Sequence, residues 1–117
     1  MNKPKKEVKK EYKKTPIIIY TTCKDKEEAE KISKHLLEKK LIACTNIFQI
    51  NSFYFWDNEL QNDSEYVILI KTFKSLYKKI EKEIKKIHSY KVPAIYSWEL
   101  DNINKDYFEW MKKEIKT

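Results

Sequence analysis

The sequence predicts an α+β protein in which a four-stranded antiparallel sheet has two main helices on one face and a short helix at its C-terminal end. Segments rich in β-branched and aromatic residues alternate with segments whose apolar residues recur every three or four positions. The predicted order is βαββαβ plus the final helix, which is the order of the ferredoxin-like fold. A length of 117 residues suits one such domain.

The first strand and helix are predicted from residues 17–39. Residues 17–22 are all β-branched or aromatic, which favours a strand in the middle of the sheet. Asp25, followed by Glu28 three positions later, is typical of a helix N-cap with a capping box. Apolar residues at helical spacing then predict an amphipathic helix over 26–39.

The second and third strands are predicted between residues 41 and 72. Residues 41–50 are apolar and branched, and 53–56 are aromatic, so both segments favour strand. The third strand is predicted at 65–72, where an unbroken apolar run indicates burial on both faces. Turn-forming residues predict a kink at 51–52 and turns at 57–59 and 61–64.

The last part of the chain is predicted to contain a helix, a strand and a second helix. The first of these helices is indicated by apolar residues spaced by four, four and three, namely Leu76, Ile80, Ile84 and Ile87. Residues 88–93 form a loop, since Pro93 disfavours helix in the residue before it. The fourth strand is expected at 94–100, a turn at 102–104, and the final helix around Trp110.

Two residue types are missing from the sequence, and their absence excludes several kinds of site. The chain has no glycine, which excludes glycine-rich phosphate loops and dinucleotide fingerprints. All 25 basic residues are lysine, so acylphosphatase-type chemistry with an arginine phosphate cradle is excluded too. We therefore expect no nucleotide cofactor, and we expect Asn and Asp at left-handed turn positions.

The positive charge is concentrated at the N-terminus. The net charge is +7, and residues 1–14 alone contain seven lysines and two glutamates. We interpret 1–15 as a flexible basic extension and 16–117 as a single domain. The extension would add weak, salt-sensitive attraction to polyanions. We expect no specific nucleic-acid partner, because residues 65–72 lack the glycine-containing aromatic octamer of RNA-recognition motifs.

Cysteine usage and hydropathy indicate a cytoplasmic protein. Cys23 and Cys44 are the only cysteines and form no C-x-x-C motif, which favours a reducing compartment. No apolar run is long enough to span a membrane, and the first fourteen residues lack the apolar segment of a secretory signal.

Five motifs follow one another in a familiar order and spacing: L-I-A-C-T-N at 41–46, S-F-Y-F-W at 52–56, I-K-T at 70–72, H-S-Y-K-V-P at 88–93 and Y-F-E-W at 107–110. With these motifs the chain resembles the CutA family from residue 17 to residue 115. The resemblance implies a ferredoxin-like subunit in a tight homotrimer, linked to tolerance of copper and other divalent metals and without enzymatic activity. It also implies a likeness in shape to trimeric PII signalling proteins, so the alternative is a PII-like small-molecule sensor or scaffold trimer without physiological metal binding.

A metal site is predicted at His88 and Cys23. Imidazole is a common ligand of copper and zinc, and a cysteine thiolate suits Cu(I). The family usually has Glu after the proline of the 88–93 motif, whereas this chain has Ala94, so copper or another divalent metal is expected to bind weakly. The alternative is that His88 is hydrogen-bonded to the backbone and that Cys23 is an inert thiol.

Dense aromatic residues on the second strand predict the subunit interface: Phe53, Tyr54, Phe55 and Trp56. Because side chains alternate along a strand, half of them point to each face of the sheet, so some need cover from a partner subunit. The alternative is that they pack under the helices of their own chain.

The resemblance implies a ligand-binding cleft between subunits, since the family also has an acidic and a basic residue at the positions of Glu65 and Lys71. The candidates are Glu65, Lys71, Tyr90, Tyr107 and Trp110, which would hold a small anion or a metal ion. The alternative is that Glu65 and Lys71 are solvated charges at the two ends of the third strand.

Overall fold

The computed structural model describes residues 14–116, and its elements follow the predicted order. They are β1 Pro16–Cys23, α1 Lys26–Glu38, β2 Cys44–Trp56, β3 Glu59–Phe73, a 3₁₀ turn Lys74–Leu76, α2 Tyr77–Ile87, β4 Ile95–Glu99 and α3 Lys105–Glu114. The predicted fold class is therefore confirmed. Most of the predicted basic extension, residues 1–13, lies outside the described residues.

The four strands form one antiparallel sheet in the order β2-β3-β1-β4. The prediction that the first strand lies in the middle of the sheet is confirmed, since Ile19 pairs with Ile70 of β3 on one side and with Ser97 of β4 on the other. Each half of the chain contributes one β-α-β crossover to this sheet, as the ferredoxin-like order requires.

The hydrophobic core lies between the sheet and the helices α1 and α2. Alternate residues of β1 and β3, such as Ile19 and Ile70, point to this face and are fully buried. They belong to one cluster with helix residues that recur at the predicted spacing: Ala29, Ile32, Leu36, Ile80 and Ile84. The amphipathic helices predicted from that spacing are therefore confirmed.

Among residues 14–116, α3 is the helix that packs on the opposite face of the sheet, and it covers one end of that face. Phe108 of α3 meets Phe73 of β3 edge to face, with 5.8 Å between the ring centroids. Farther along this face, Phe48, Tyr96 and Trp98 are exposed. We call this surface the open face of the sheet.

The β2–β3 hairpin extends well beyond the rest of the sheet. The two strands pair from Cys44–Lys71 to Trp56–Glu59, whereas β1 pairs with β3 only over residues 66–73. Residues 50–65 therefore project from the body of the protein. We call this segment the projecting hairpin.

Two predictions in this region were wrong. The kink at 51–52 and the turn at 61–64 are absent, because these residues pair with each other: Asn51 with Ser64 and Ser52 with Asp63. Their polar side chains are tolerated in strands that face water. Gln49, for example, donates a hydrogen bond to Ser64 across the hairpin at 2.7 Å. The third strand consequently starts at Glu59 instead of residue 65.

The tip of the hairpin is a two-residue turn at Asp57 and Asn58. Both residues have positive φ, 51° and 65°, as a type I′ turn requires. The expectation that Asp and Asn take left-handed positions in a chain without glycine is confirmed here. Lys40, with φ 59°, is a further left-handed residue that was not predicted.

Candidate functional site

A cavity of about 570 Å³ lies where the projecting hairpin leaves the body of the protein. Residues from β1, β2, β3 and the loop before β4 line it, among them Tyr54, Trp56, Glu65, Tyr90, Val92 and Ala94. It opens on the open face of the sheet, since Tyr54 and Glu65 both point there. We call it the Glu65 pocket.

Glu65 is buried in this pocket and accepts a hydrogen bond from a tyrosine. Only 7% of the residue is exposed, and its Oε2 accepts from the Tyr90 hydroxyl at 2.6 Å. Burial, and then the bond to Glu65, raises the pKa of Tyr90. A second such pair lies beside it, where the Tyr54 hydroxyl donates to Asp63 at 2.5 Å and this bond raises the pKa of Tyr54. Both phenols are therefore neutral donors at neutral pH.

His88 holds the loop that carries Tyr90. Its Nε2 is 2.8 Å from the carbonyl oxygen of Thr22, and its Nδ1 is 2.9 Å from the amide nitrogen of Tyr90. A carbonyl only accepts and an amide N–H only donates, so Nε2 carries the proton and Nδ1 accepts. The side chain is fully buried. His88 thus fixes both the end of β1 and the start of the loop through backbone hydrogen bonds.

Glu28 ties the same loop to the first turn of α1. Its carboxylate accepts from the amide and hydroxyl of Ser89, at 2.7 and 2.9 Å, and from the amide of Lys24 at 3.2 Å. Burial acts to raise the pKa of Glu28, but these hydrogen bonds outweigh it and the pKa is lowered. Asp25 caps the helix as predicted, since its Oδ1 accepts from the Glu28 amide at 2.8 Å.

The predicted metal ligands His88 and Cys23 are both engaged in hydrogen bonds. Cys23 is fully buried, its Sγ donates to the Asp25 carbonyl at 3.5 Å, and burial raises its pKa to about 12. It is therefore a protonated thiol at neutral pH. Within residues 14–116, no three side chains of His, Cys, Asp or Glu are grouped as a metal site. Metal binding by His88 and Cys23 stays a prediction, and it requires these hydrogen bonds to break.

The other three predicted cleft residues lie at the opposite end of β3. Lys71 donates to Asn46 and lies 3.9 Å from Sγ of Cys44. Burial, and then the nearby Cys44, raises the pKa of Tyr107, whose ring is 5.4 Å from that of Trp110. Lys71 and Glu65 share a face of β3 but are six residues apart, about 20 Å along the strand. Within one chain, the five residues therefore form two separate groups.

The predicted interface aromatics are exposed on both faces of the projecting hairpin. Phe53 is 65% exposed and Phe55 72% exposed on one face, while Trp56 is 58% exposed on the other face beside Tyr54. The alternative that these residues pack under the helices of their own chain is therefore wrong. Leu60 on β3 is also exposed, and it extends the same apolar surface.

Sequence reasoning missed that Trp56 lines this pocket and that Asp63 lies beside it, bonded to the lining residue Tyr54. Asp63 was assigned to a turn, so its place beside Glu65 on one face of a strand was not expected. The available signal was a charge pattern: the sequence has no lysine between Lys40 and Lys71, although it has four acidic residues there. Such a run of acids in a lysine-rich chain indicates a separate electrostatic surface.

The sequence and the fold both match known proteins. The profile of the family described as CutA1 divalent ion tolerance protein matches residues 17–114. The divalent-cation tolerance protein CutA of Pyrococcus horikoshii is 41% identical over 100 residues, which are 86% of this chain and 98% of that protein. The crystal structure of CutA1 from the same organism superposes with a TM-score of 0.84 at 40% identity, covering 86% of this chain and 99% of that one.

A further structure is similar to the same extent. It is described as the periplasmic divalent cation tolerance protein CutA from Archaeoglobus fulgidus, and it has a TM-score of 0.84 at 36% identity over 86% of this chain and 99% of that one. No helix within residues 14–116 is long and apolar enough to cross a membrane.

Proposed function

The chain belongs to the CutA1 divalent ion tolerance family, and on this premise we propose that it acts without catalysing a reaction, as a homotrimer for tolerance of copper or another divalent metal. In this proposal a metal ion or a small ligand binds between the subunits. The exposed aromatic surface of the projecting hairpin carries the proposal. Monomeric proteins rarely expose a contiguous apolar surface of this kind, because burying it against a partner stabilises the complex by about 25 cal/mol per Å².

Charge supports a contact between a hairpin and the body of a neighbouring subunit. The stretch between Lys40 and Lys71 has four acidic residues and no lysine, while residues 15–40 and 71–117 together have 18 lysines and 12 acidic residues. An acidic, aromatic hairpin on one subunit is therefore complementary to a lysine-rich body on the next. Complementary charges speed association and fix the orientation of the partners.

A cyclic trimer also explains why the predicted cleft residues form two groups. Its interfaces are heterologous, so one part of a subunit meets a different part of its neighbour. The group of Glu65 and Tyr90 and the group of Lys71, Tyr107 and Trp110 both lie along the open face, about 20 Å apart. A neighbour placed on this face would bring one group of its own against the other group of this chain, and the two would form a single cleft.

The assembly is tested by light scattering. We expect a mass near three times the 14.3 kDa of one chain. Replacing both Phe53 and Phe55 by serine should shift the mass towards the monomer. Leu37→Ser, at an exposed apolar residue on α1, is the control and should leave the mass unchanged. A wild-type mass near 14.3 kDa at micromolar concentration would contradict the proposal.

Metal binding is tested by calorimetry with copper and zinc at neutral pH. The proposed ligands are His88 and Cys23, so His88→Ala and Cys23→Ser should each weaken binding. His35→Ala is the control, because His35 lies on α1 and pairs with Glu83 of α2. If His88→Ala binds copper as tightly as the wild type, the metal site lies elsewhere. If only Cys23→Ser weakens binding, and only under reducing conditions, the ion is Cu(I) on a thiolate.

A second candidate function is a PII-like sensor of a small molecule. The Glu65 pocket favours it, because one carboxylate, two neutral phenols and apolar walls suit a small organic ligand better than a metal ion.

We also propose a cytoplasmic location, since Cys23 and Cys44 are both free thiols. Fractionation of cells that make the protein would test the location, and recovery from the periplasm would contradict it.

A further inference from the structure

We propose that the Glu65 pocket binds a primary alkylammonium group, with the Glu65 carboxylate as counter-ion and aromatic rings as walls. The inference rests on the proposed function, because the pocket opens on the face that neighbouring subunits would share. It names the chemistry of the ligand that the cleft would take.

The first argument is an unpaired negative charge. Only 7% of the surface of Glu65 is accessible to solvent. Within residues 14–116 it forms no salt bridge. Its hydrogen-bond partner is the neutral hydroxyl of Tyr90. Lys91 lines the pocket without pairing with Glu65. Since buried carboxylates in proteins are almost always compensated by a cation, the pocket is suited to receive one.

The second argument is the potential around the pocket. Asp63, next but one to Glu65 on the same face of β3, also lacks a salt bridge within the described residues and is bonded to Tyr54. Because no lysine occurs between Lys40 and Lys71, no cation of the hairpin itself opposes these acids. Consistent with a negative potential, the charge of Glu65 contributes to raising the pKa of Tyr54 and of Tyr90.

The third argument concerns the kind of cation. A metal ion needs three or more donor groups, and within residues 14–116 no such group of His, Cys, Asp and Glu exists. The pocket offers instead one buried carboxylate, the aromatic side chain of Trp56, and apolar walls at Val92 and Ala94. An ammonium head can pair with the carboxylate while its alkyl chain packs on these walls, and aromatic rings attract such cations.

The ammonium group can come from two sources. One is a free small amine, for which a volume of about 570 Å³ leaves ample room. The other is a lysine of a neighbouring copy, and Lys71 is the lysine that lies on the open face of β3. The chemistry at Glu65 is the same in both cases, so the experiment is designed to distinguish the sources.

The test is a calorimetric titration with n-butylammonium chloride, with n-butanol as the neutral control ligand. We expect saturable binding of the amine and none of the alcohol. Glu65→Gln keeps the size of the side chain and should weaken binding about tenfold or more, because charge-assisted hydrogen bonds are worth about 1.5–3 kcal/mol. Glu59→Gln, on the same hairpin but outside the pocket, should change affinity by less than about twofold.

A second variant tests the proposal independently, in case Glu65→Gln does not fold. Trp56 is more than half exposed, so Trp56→Ala should fold normally and weaken amine binding about threefold through the lost ring. Trp98→Ala, on β4 and away from the pocket, is its control. Light scattering on the same samples reports assembly separately, so failure of the trimer and failure of amine binding are told apart.

The source is identified with Lys71→Met. If the wild type binds butylammonium, the ligand is a free amine. If only Lys71→Met binds it, and Glu65→Gln in that background abolishes binding, a lysine of a neighbouring copy occupies the pocket in the wild type. If neither protein binds the amine, or if Glu65→Gln binds it as tightly as its parent, the proposal is overturned.

Discussion

The two halves of the β2–β3 hairpin have similar strand chemistry but opposite surroundings. In the body, Val67, Ile68 and Ile70 of β3 are buried beneath helices or against neighbouring strands. In the projecting hairpin, Phe53, Phe55 and Leu60 are largely exposed. The same pair of strands therefore runs from a buried core to a surface that is largely exposed to solvent.

This difference separates the stability that one chain gains on folding from the stability that it would gain on assembly. Apolar residues in the body are already removed from water when one chain folds. Those in the projecting hairpin would be removed from water only when a partner binds, so their contribution should depend on protein concentration. The charges divide in the same way, because within residues 14–116 the acids of the projecting hairpin form no salt bridge, whereas acids on the helices pair with lysines.

The largest expected effect comes from breaking the body. Ile70→Ala removes a fully buried side chain and should lower the free energy of unfolding by about 3 kcal/mol at every protein concentration. Phe55→Ala should lower it only at concentrations where the trimer forms. Urea unfolding at two concentrations, a hundredfold apart, separates the two behaviours. An equal, concentration-independent loss for both variants would contradict the comparison.

The sequence predicted the body better than the hairpin for a physical reason. In the body, burial forces apolar residues into the period of the element, so α1 and β1 could be read from their patterns and from the N-cap at Asp25. In the projecting hairpin, residues such as Asn51 and Asp63 are held in strand by cross-strand pairing. That pairing is not visible in local composition, and polar residues exposed to water resemble a turn.

The site was predicted in part. Tyr90 and Glu65 were both selected, and the structure joins them by a hydrogen bond. The role of His88 in fixing the loop was only one of two alternatives, because a lone histidine in a sequence does not reveal that both ring nitrogens bond to the backbone. The distance of about 20 Å between Glu65 and Lys71 already followed from the predicted strand at 65–72. The place of Asp63 beside Glu65 became known only once β3 was seen to begin at Glu59.

Glu83 is an acidic residue of the body whose pairing with cations can be tested by changing the pH. Glu83 of α2 is 2.9 Å from His35 of α1 and 3.0 Å from Lys86, and the hydrogen bonds from His35 and then Lys86 lower its pKa to about 2 from 4.5. A lowered folded-state pKa stabilises the fold above the unfolded value. That stability should be lost as the pH falls from about 4.5 to about 2.

Thermal unfolding across this pH range tests the role of Glu83. The Glu83→Gln variant should be less stable than the wild type at neutral pH, and its melting temperature should change less between the two pKa values. Glu59→Gln in the projecting hairpin is the control and should keep the wild-type pH profile. Parallel profiles for wild type and Glu83→Gln would show that this ion pair contributes nothing.

A matched pair of buried threonines gives a smaller effect of opposite sign. The Thr21 hydroxyl is buried and has no hydrogen-bond partner within the described residues, whereas the Thr72 hydroxyl donates to the Leu41 carbonyl at 2.7 Å. Thr21→Val should therefore be neutral or raise the free energy of unfolding by up to about 1 kcal/mol, while Thr72→Val should lower it by about 1 kcal/mol. Equal losses measured by urea unfolding would indicate that Thr21 has a partner in solution.

The smallest expected effect concerns the residues with positive φ in the two regions. The projecting hairpin places Asp57 and Asn58 there, residue types that tolerate positive φ, whereas the body uses Lys40 at φ 59°.

Lys40 follows α1 in a Schellman motif, since its amide donates to the Leu37 carbonyl at 3.0 Å and the Leu41 amide donates to the Leu36 carbonyl at 3.2 Å. Glycine is favoured at this position because it lacks the Cβ that clashes in the left-handed region. Lys40→Gly should therefore raise the free energy of unfolding by about 0.5–1 kcal/mol. Part of this gain is offset, because glycine increases the conformational entropy of the unfolded chain. The adjacent Lys39 has φ −80°, so Lys39→Gly gains no relief from strain and should lower stability by a similar amount. Urea unfolding of both variants at one concentration decides the matter, and a loss of stability in Lys40→Gly would mean that the lysine side chain contributes more than its backbone conformation costs.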